Sequence, residues 1–479
     1  VGTGGTRTKG TGRAAAAAWL ASLKSQVAAP TGSLLALPYA DPDVDALASS
    51  AAGKDDLDHA TTLGTTVLAS QFATTPVDAV YPPTQGTGVV SPDAVDALTP
   101  QSGKRFALVL DESAFPDLED EGRTRTPDAT VNLGTSRSTF RPLYGLVADD
   151  LLSSLVLGPS SGAEGSRLAE QRFIAETAIV AAEAPGLSRT FLIAPDRYSD
   201  ADVRATTDAL RDIGRLPWLC PIALQSATQG TESCPTPTSE GEAKPYNDDA
   251  TDPRSTLRQS TDAQLPTEYL GAVGTAERRA TQLTTQVLDD SDAQPGETRT
   301  QVRNLRLRLR QAVARAESSA WRQDPSSQYA QLRLLSEQVE ALRKNVNVLG
   351  GRLLLTSDNG TVQVSVENRL DLPVQIRLRF TFPGRVPVET GLISVSAKRS
   401  VPAAVKATGL RSGSFPVFVQ MVDRSGKVFR GTVQVQVRST RYGRLALGVT
   451  FAAAAVLFIA AGARIVRRAL RREPPQAAA

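Results

Sequence analysis

Three apolar runs in the first half of the chain end on acidic residues. SLLALPYA is followed by Asp41 and Asp43, RFALVL by Asp111 and Glu112, and TFLIAP by Asp196 with Arg197 beside it. Parallel sheets and α/β barrels place their sites at the carboxyl ends of strands. Two carboxylates on one such rim can serve as acid and base, or as acid and nucleophile, in cleaving a glycosidic bond. The catalytic candidates are therefore Asp41, Asp43, Asp111 and Asp196, with Tyr39, Tyr198 and Trp218 as flat faces for stacking sugars. The competing role is structural. Asp41-Pro42-Asp43 stands directly before a helical run, where aspartate caps and proline suits the first turn. Asp111 or Glu112 can cap in the same way.

Other chemistries lack their residues. The chain has one histidine, His59, and two cysteines, Cys220 and Cys234. A zinc site built from Cys and His clusters is thereby nearly excluded, and no metal or cofactor is expected. His59 lies in the helical run DDLDHATTL and reads as a surface residue. A serine hydrolase needs a nucleophile elbow and a histidine partner, and neither is visible. Basic and acidic residues number 53 and 50, for a net charge of +3. With no basic domain away from the C-terminal end, nucleic acid is not an expected partner. In an oxidising compartment Cys220 and Cys234 would close a loop worth about 3 kcal/mol. The alternative is two unpaired thiols.

The elements that must position the acidic residues fall into a multidomain α/β + α + β plan. Residues 1–227 alternate short apolar runs with amphipathic helices, the pattern of a parallel sheet covered by helices. Strands are expected at SLLALPYA, RFALVL, SSLVLGP near Leu155, and RTFLIAP. No Gly-rich phosphate loop follows any of them, so a barrel-like domain is favoured over a dinucleotide-binding sheet. Residues 228–264 form a polar linker rich in Pro, Thr, Ser and acidic residues. Residues 265–349 are helical. Leu332, Leu335, Val339, Leu342 and Val346 follow heptad spacing, Leu305, Leu309, Val313 and Ala316 form a similar stripe, and Pro325 marks the corner of a helical hairpin. The basic run VRNLRLRLR reads as a solvated helix face, with contact to an anionic lipid or glycan phosphate as the sharper alternative. Residues 350–440 switch to period two, as in TVQVSVEN and VQIRLRFTF, and predict an immunoglobulin-like β-sandwich acting as a stalk.

Leu445 to Ala463 carries no charge. As a helix it is about 28 Å long, close to the ~30 Å hydrocarbon core of a bilayer. Arg464, Arg467 and Arg468 follow it within a basic tail of residues 464–479, and Arg444 precedes it. The heavier cluster after the helix puts the tail in the cytoplasm and the N-terminal bulk outside. The opening VGTGGTRTKGTG is neither a signal peptide nor a natural start. An outward orientation therefore implies a fragment whose upstream part holds the signal and the start of the first domain. A tail-anchored cytoplasmic protein is the alternative.

LPYADPDVDAL, RTFLIAPDRYSD, LPWLCPIAL and VSVENRLDLPVQIRLRF together resemble an actinobacterial family of membrane-anchored envelope proteins, a family defined by a domain of unknown function. Its members are commonly encoded beside the lipid II flippase, MurJ. The resemblance implies an extracytoplasmic plasma-membrane protein held by one C-terminal helix, with a truncated barrel-like domain similar to polysaccharide-processing barrels. No catalytic role comes with it. The expected function is a non-catalytic binding or accessory factor linked to peptidoglycan or lipid-linked precursors. Membrane lipid is its partner, with an envelope glycan or a polytopic protein such as a lipid II flippase as further candidates. The alternative is a carboxylate-dependent enzyme of glycoside hydrolase type using Asp43 with Asp111 or Asp196.

Overall fold

The computed structural model describes residues 11–82, 91–99, 106–115, 128–131, 143–157, 162–183, 190–194, 203–229, 264–355, 360–408, 413–439 and 442–470. The chain separates into two compact units, one of Val1–Thr275 with Arg310–Leu335, the other of Ala276–Leu309 with Ser336–Ala479. The helical stretch is thus shared between units.

The first unit contains helices α1 (Arg13–Val27), α2 (Val44–Ala48) and α3 (Ala51–Phe72). Strand β1 (Ala79–Val80), helix α4 (Pro92–Leu98) and strands β2 (Ala107–Asp111), β3 (Asp128–Val131) and β4 (Leu143–Ala148) follow. Helices α5 (Asp150–Leu157), α6 (Gly162–Glu183), α7 (Val203–Ile213) and α8 (Leu224–Gln229) complete its main run. It also takes the start of α9 (Thr267–Thr281), the end of α10 (Gly296–Ala316) and the first half of α11 (Pro325–Lys344).

The sheet is mixed and open. Its order is β1-β2-β4-β3, with β1, β2 and β4 parallel and β3 antiparallel on the edge of β4. Beyond β3, Ala148 bridges Leu192 in parallel, and on the other side the Val77 amide donates to the Leu34 carbonyl at 2.8 Å. The expected barrel is therefore, over the described residues, an unclosed sheet. The reason is β3: it occupies the β4 edge along Leu143–Leu146, so the RTFLIAP run meets β4 only at Ala148. β2 is continuously apolar because both of its faces are covered. Leu108 and Leu110 pack with Val44, Leu57 and Val95, while Val109 packs with Tyr81, Ala148 and Ala194. At Gly64 the backbone of α3 lies so close to the first apolar run that a Cβ would meet the Leu37 carbonyl oxygen at 2.0 Å.

One expected strand is a helix. SSLVL belongs to α5, and the strand lies just before it, in LYGLVA. Leu152, Leu155 and Val156 are buried at helical spacing, and the Asp149 carboxylate accepts the Leu152 amide at 2.7 Å as a cap.

The second unit holds the remainder of α9 to α11, with a π-helical turn at Gln282–Val287, and all later elements. Its strands are β5 (Val346–Leu349), β6 (Arg352–Leu355), β7 (Gly360–Asn368), β8 (Val374–Thr381), β9 (Val388–Glu389), β10 (Ile393–Val395), β11 (Arg399–Ala407), β12 (Gly413–Val422) and β13 (Val428–Ser439). They form a six-stranded sheet, β10-β8-β12-β13-β6 with β9 on β8, and a three-stranded sheet, β11-β7-β5. Val362, Val364 and Val366 of one sheet and Ile376, Leu378, Phe380, Val419 and Val435 of the other join one buried core. Strict alternation produces this, because side chains one residue apart face opposite ways. The heptad reading overran here: Val346 belongs to β5, where Val346 and Val348 are buried in alternation, and not to α11.

Asp423 fixes the turn between β12 and β13. One carboxylate oxygen accepts the Ser425 amide at 2.8 Å, the Ser425 hydroxyl at 2.7 Å and the Lys427 amide at 3.0 Å; the other accepts Gln282 at 2.8 Å. Burial pushes this carboxyl up, but the hydrogen bonds outweigh burial and hold it below the ordinary range. Its folded value lies under its unfolded one, so its contribution to stability is present above the unfolded pKa and lost as pH falls through the folded value. Asp423→Ala strands several donors and is expected to cost about 2–4 kcal/mol. Urea midpoints at pH 7 and below pH 3 check this. The difference between wild type and variant should be large at pH 7 and shrink in acid.

Helix α12 (Tyr442–Leu470) ends the described chain. Its segment Gly448–Arg468 is long and apolar enough to cross a membrane, and none of it is buried.

Candidate functional site

Asp43 caps α2, accepting the Ala46 amide at 3.2 Å. It does more than cap. Arg322 grips both of its oxygens, Nε to Oδ2 at 2.9 Å and Nη2 to Oδ1 at 2.6 Å, and the Leu265 amide donates to Oδ2 at 2.7 Å. Both side chains of the pair are 0% exposed. The surrounding backbone is equally committed. The Asp43 amide donates to the Glu317 carbonyl and the Ser319 amide to the Asp41 carbonyl, each at 2.8 Å, closing a bridge at Pro42 and Ser318. Asp41 sits at φ 53° and accepts the Ser319 hydroxyl at 3.1 Å. Asp45 completes the group. Its Oδ1 accepts the Ser91 amide at 2.8 Å, and its Oδ2 lies 3.9 Å from Arg322. Burial raises the Asp45 carboxyl, against the opposing pull of Ser91 and Arg322. ADPDVDA is thus the docking point of the segments at Leu265 and Glu317–Arg322. Asp43 has no exposed edge, and its two oxygens are taken up by Arg322 and by the Leu265 and Ala46 amides.

A second acidic group stands at the carboxyl ends of β2 and β4. Asp111 closes β2 and accepts the Tyr81 hydroxyl at 3.1 Å. Asp150, at the start of α5, accepts the Glu112 amide at 3.4 Å. The Asp149 and Asp150 carboxyls are both raised, chiefly by burial; Glu176 adds to the effect on Asp149, and Asp149 to that on Asp150. Sequence reasoning missed Asp149 and Asp150. The signal was there, an Asp-Asp pair directly after LYGLVA, but it was hidden by placing the strand one element too late.

The other expected residues scatter. The Tyr39 hydroxyl takes a hydrogen bond from Arg315 at 3.3 Å, and Trp218 donates to Thr177 at 3.3 Å. Asp196, Tyr198 and Cys234 lie outside the described residues, and the Cys220–Cys234 pairing with them. Arg464, Arg467 and Arg468 stand on α12, as does the backbone of Arg444. Arg306, in the basic run, pairs with Asp290 at 2.9 Å and donates to the Thr284 carbonyl at 2.8 Å, a structural use of one of those charges. Among the described residues no group of three or more His, Cys, Asp or Glu is placed to hold a metal ion.

Comparison with known proteins adds one firm result. No curated protein matches the chain. The structure of WR4, a C. elegans MSP family member, is 14% identical and is matched over 20% of this chain and 98% of that one, at a TM-score of 0.15, which carries no argument about the fold. A family model matches residues 12–477. A match over almost the full length places the chain in that family: it belongs to the family of unknown function DUF6049.

Proposed function

We propose that this is a single-pass, membrane-anchored extracytoplasmic protein of the actinobacterial cell envelope, acting as a non-catalytic binding or accessory factor for peptidoglycan or lipid-linked precursors. The observation that carries the proposal is α12, a 29-residue helix whose apolar stretch has no buried residue. At about 44 Å it matches a bilayer with its headgroup layers, roughly 40–45 Å. Arg464, Arg467 and Arg468 at its far end favour a cytoplasmic tail. In this reading the first unit, with its open mixed sheet, is the binding domain, and the second is an immunoglobulin-like stalk. The burial of Asp43 against Arg322 supports a structural role over catalysis at that position.

Protease added to intact spheroplasts tests the topology. Both units should be digested and a fragment carrying α12 and the tail retained. Protection of the bulk would place it in the cytosol and end the envelope assignment. Crosslinking in whole membranes should then recover a polytopic partner, with a lipid II flippase as the first to look for.

The observation that favours a second, glycan-active reading is the pair Asp149 and Asp150 near Asp111: carboxyls raised by burial on a strand-end rim suit a general acid. That reading predicts release of soluble fragments from purified peptidoglycan and their loss in Asp111→Asn with Asp150→Asn. No release by the wild-type chain removes it.

A further inference from the structure

The second unit carries an open apolar groove of about 840 Å³ between the tip of the β8–β9 hairpin and the start of β12. Phe382, Val386, Phe415, Pro416 and Phe418 line it. Val386 is 82% exposed and Phe418 40%. A valine so bare at a hairpin tip gains nothing from water. The tip is held in shape, not frayed. The Arg385 amide donates to the Phe382 carbonyl at 3.2 Å, Gly384 takes φ 70°, and the Arg385 guanidinium holds the Thr408 carbonyl at 2.5 Å.

Register says which end of the sheet this is. Thr381 pairs with Phe418, and Phe415 pairs with Val437 of β13. The hairpin tip therefore points toward the end at which β13 finishes, Ser439, and α12 begins at Tyr442. From the level of Val437 to Ser439 is about 7 Å along a strand. A helix as long as α12 fills the bilayer together with its headgroup layers, so its first turn lies at headgroup depth. Tyr442 at that turn is the residue type that favours this boundary, and Arg438 lies just before it.

We propose that the β8–β9 tip and the groove beside it dock on the outer lipid surface, with Val386 and Phe418 entering the headgroup layer and Arg385 facing lipid phosphates. The second unit would then rest on the bilayer instead of standing free above it, and the apolar tip acts as a second, shallow anchor. The occupant is lipid because the groove opens at the end of the sheet that leads into the membrane-crossing helix within a few residues. This inference rests on α12 spanning the bilayer.

The test uses the full chain in nanodiscs of phosphatidylcholine and phosphatidylglycerol, one chain per disc. A single nitroxide is placed through Val386→Cys, Phe418→Cys, Lys427→Cys or Leu457→Cys. The unsubstituted chain is treated in parallel to subtract signal from Cys220 and Cys234. Lys427 lies in the β12–β13 turn at the opposite end of the same sheet, and Leu457 is in the middle of α12. The ratio of oxygen to nickel-chelate collision rates reports depth. At Val386 and Phe418 it should exceed the Lys427 value several-fold and fall short of the Leu457 value. A ratio at Val386 and Phe418 equal to that at Lys427, with Leu457 in lipid, overturns the docking and leaves the anchor intact. A water-like ratio at Leu457 overturns the anchor itself. In discs loaded with several chains, spin–spin broadening at Val386 would show a second copy of the chain in the groove and would also overturn lipid as its occupant.

Discussion

Asp43→Ala is expected to destabilise the first unit by about 3–5 kcal/mol, the cost of leaving a buried arginine without its carboxylate. The magnitude follows from full burial of both partners and from the two-pronged grip of Arg322 on Asp43. The loss also frees the Leu265 amide and the cap of α2. Arg322→Met should destabilise as well, by exposing Asp43 and Asp45 to each other without a cation. The double variant should be less damaging than the sum of the singles, because neither buried charge of the pair is then left alone. Trp321, whose indole donates to the Arg315 carbonyl at 2.6 Å, is adjacent to the pair and gives a fluorescence signal for urea unfolding. Unchanged midpoints in both single variants would remove the strut role. Lost glycan activity with unchanged stability would return Asp43 to the list of catalytic residues.

The second large effect concerns α12. Leu457→Arg combined with Phe458→Arg puts two charges at the centre of the apolar stretch, each costing about 2.5–3.5 kcal/mol of insertion. Together they amount to roughly 6 kcal/mol, several factors of ten in the inserted-to-free ratio. The chain is expected to leave the membrane pellet after an alkaline carbonate wash, while circular dichroism of the released protein keeps the signature of both units. Phe458→Leu should stay in the pellet. Retention of the double-arginine variant would mean that the membrane holds the chain by something other than this helix.

Both expectations show how unevenly the sequence speaks. The strands of the second unit were legible because one face of each sheet is buried, so apolar and polar residues alternate through β7, β8 and β13. The first unit was legible in outline, since β2 falls at the apolar run RFALVL and helices alternate with such runs along it. It failed at α5, where a short apolar run fits strand or helix equally and only its length and cap decide. It failed again at β3, which is a polar-flanked edge strand with no period of its own, and whose presence opens the sheet.

By itself the chain determined α12 and the two-residue alternation. Both depend on the chemistry of consecutive residues meeting one solvent or one core, which no distant contact can alter. It could not determine whether Asp43 reacts or supports. That depended on Leu265 and Arg322, 222 and 279 positions away along the chain. Only folding brings a guanidinium and an amide from such distances onto one carboxylate and shuts out water, and this turns an aspartate with the sequence context of a catalytic acid into the buried clasp of a domain.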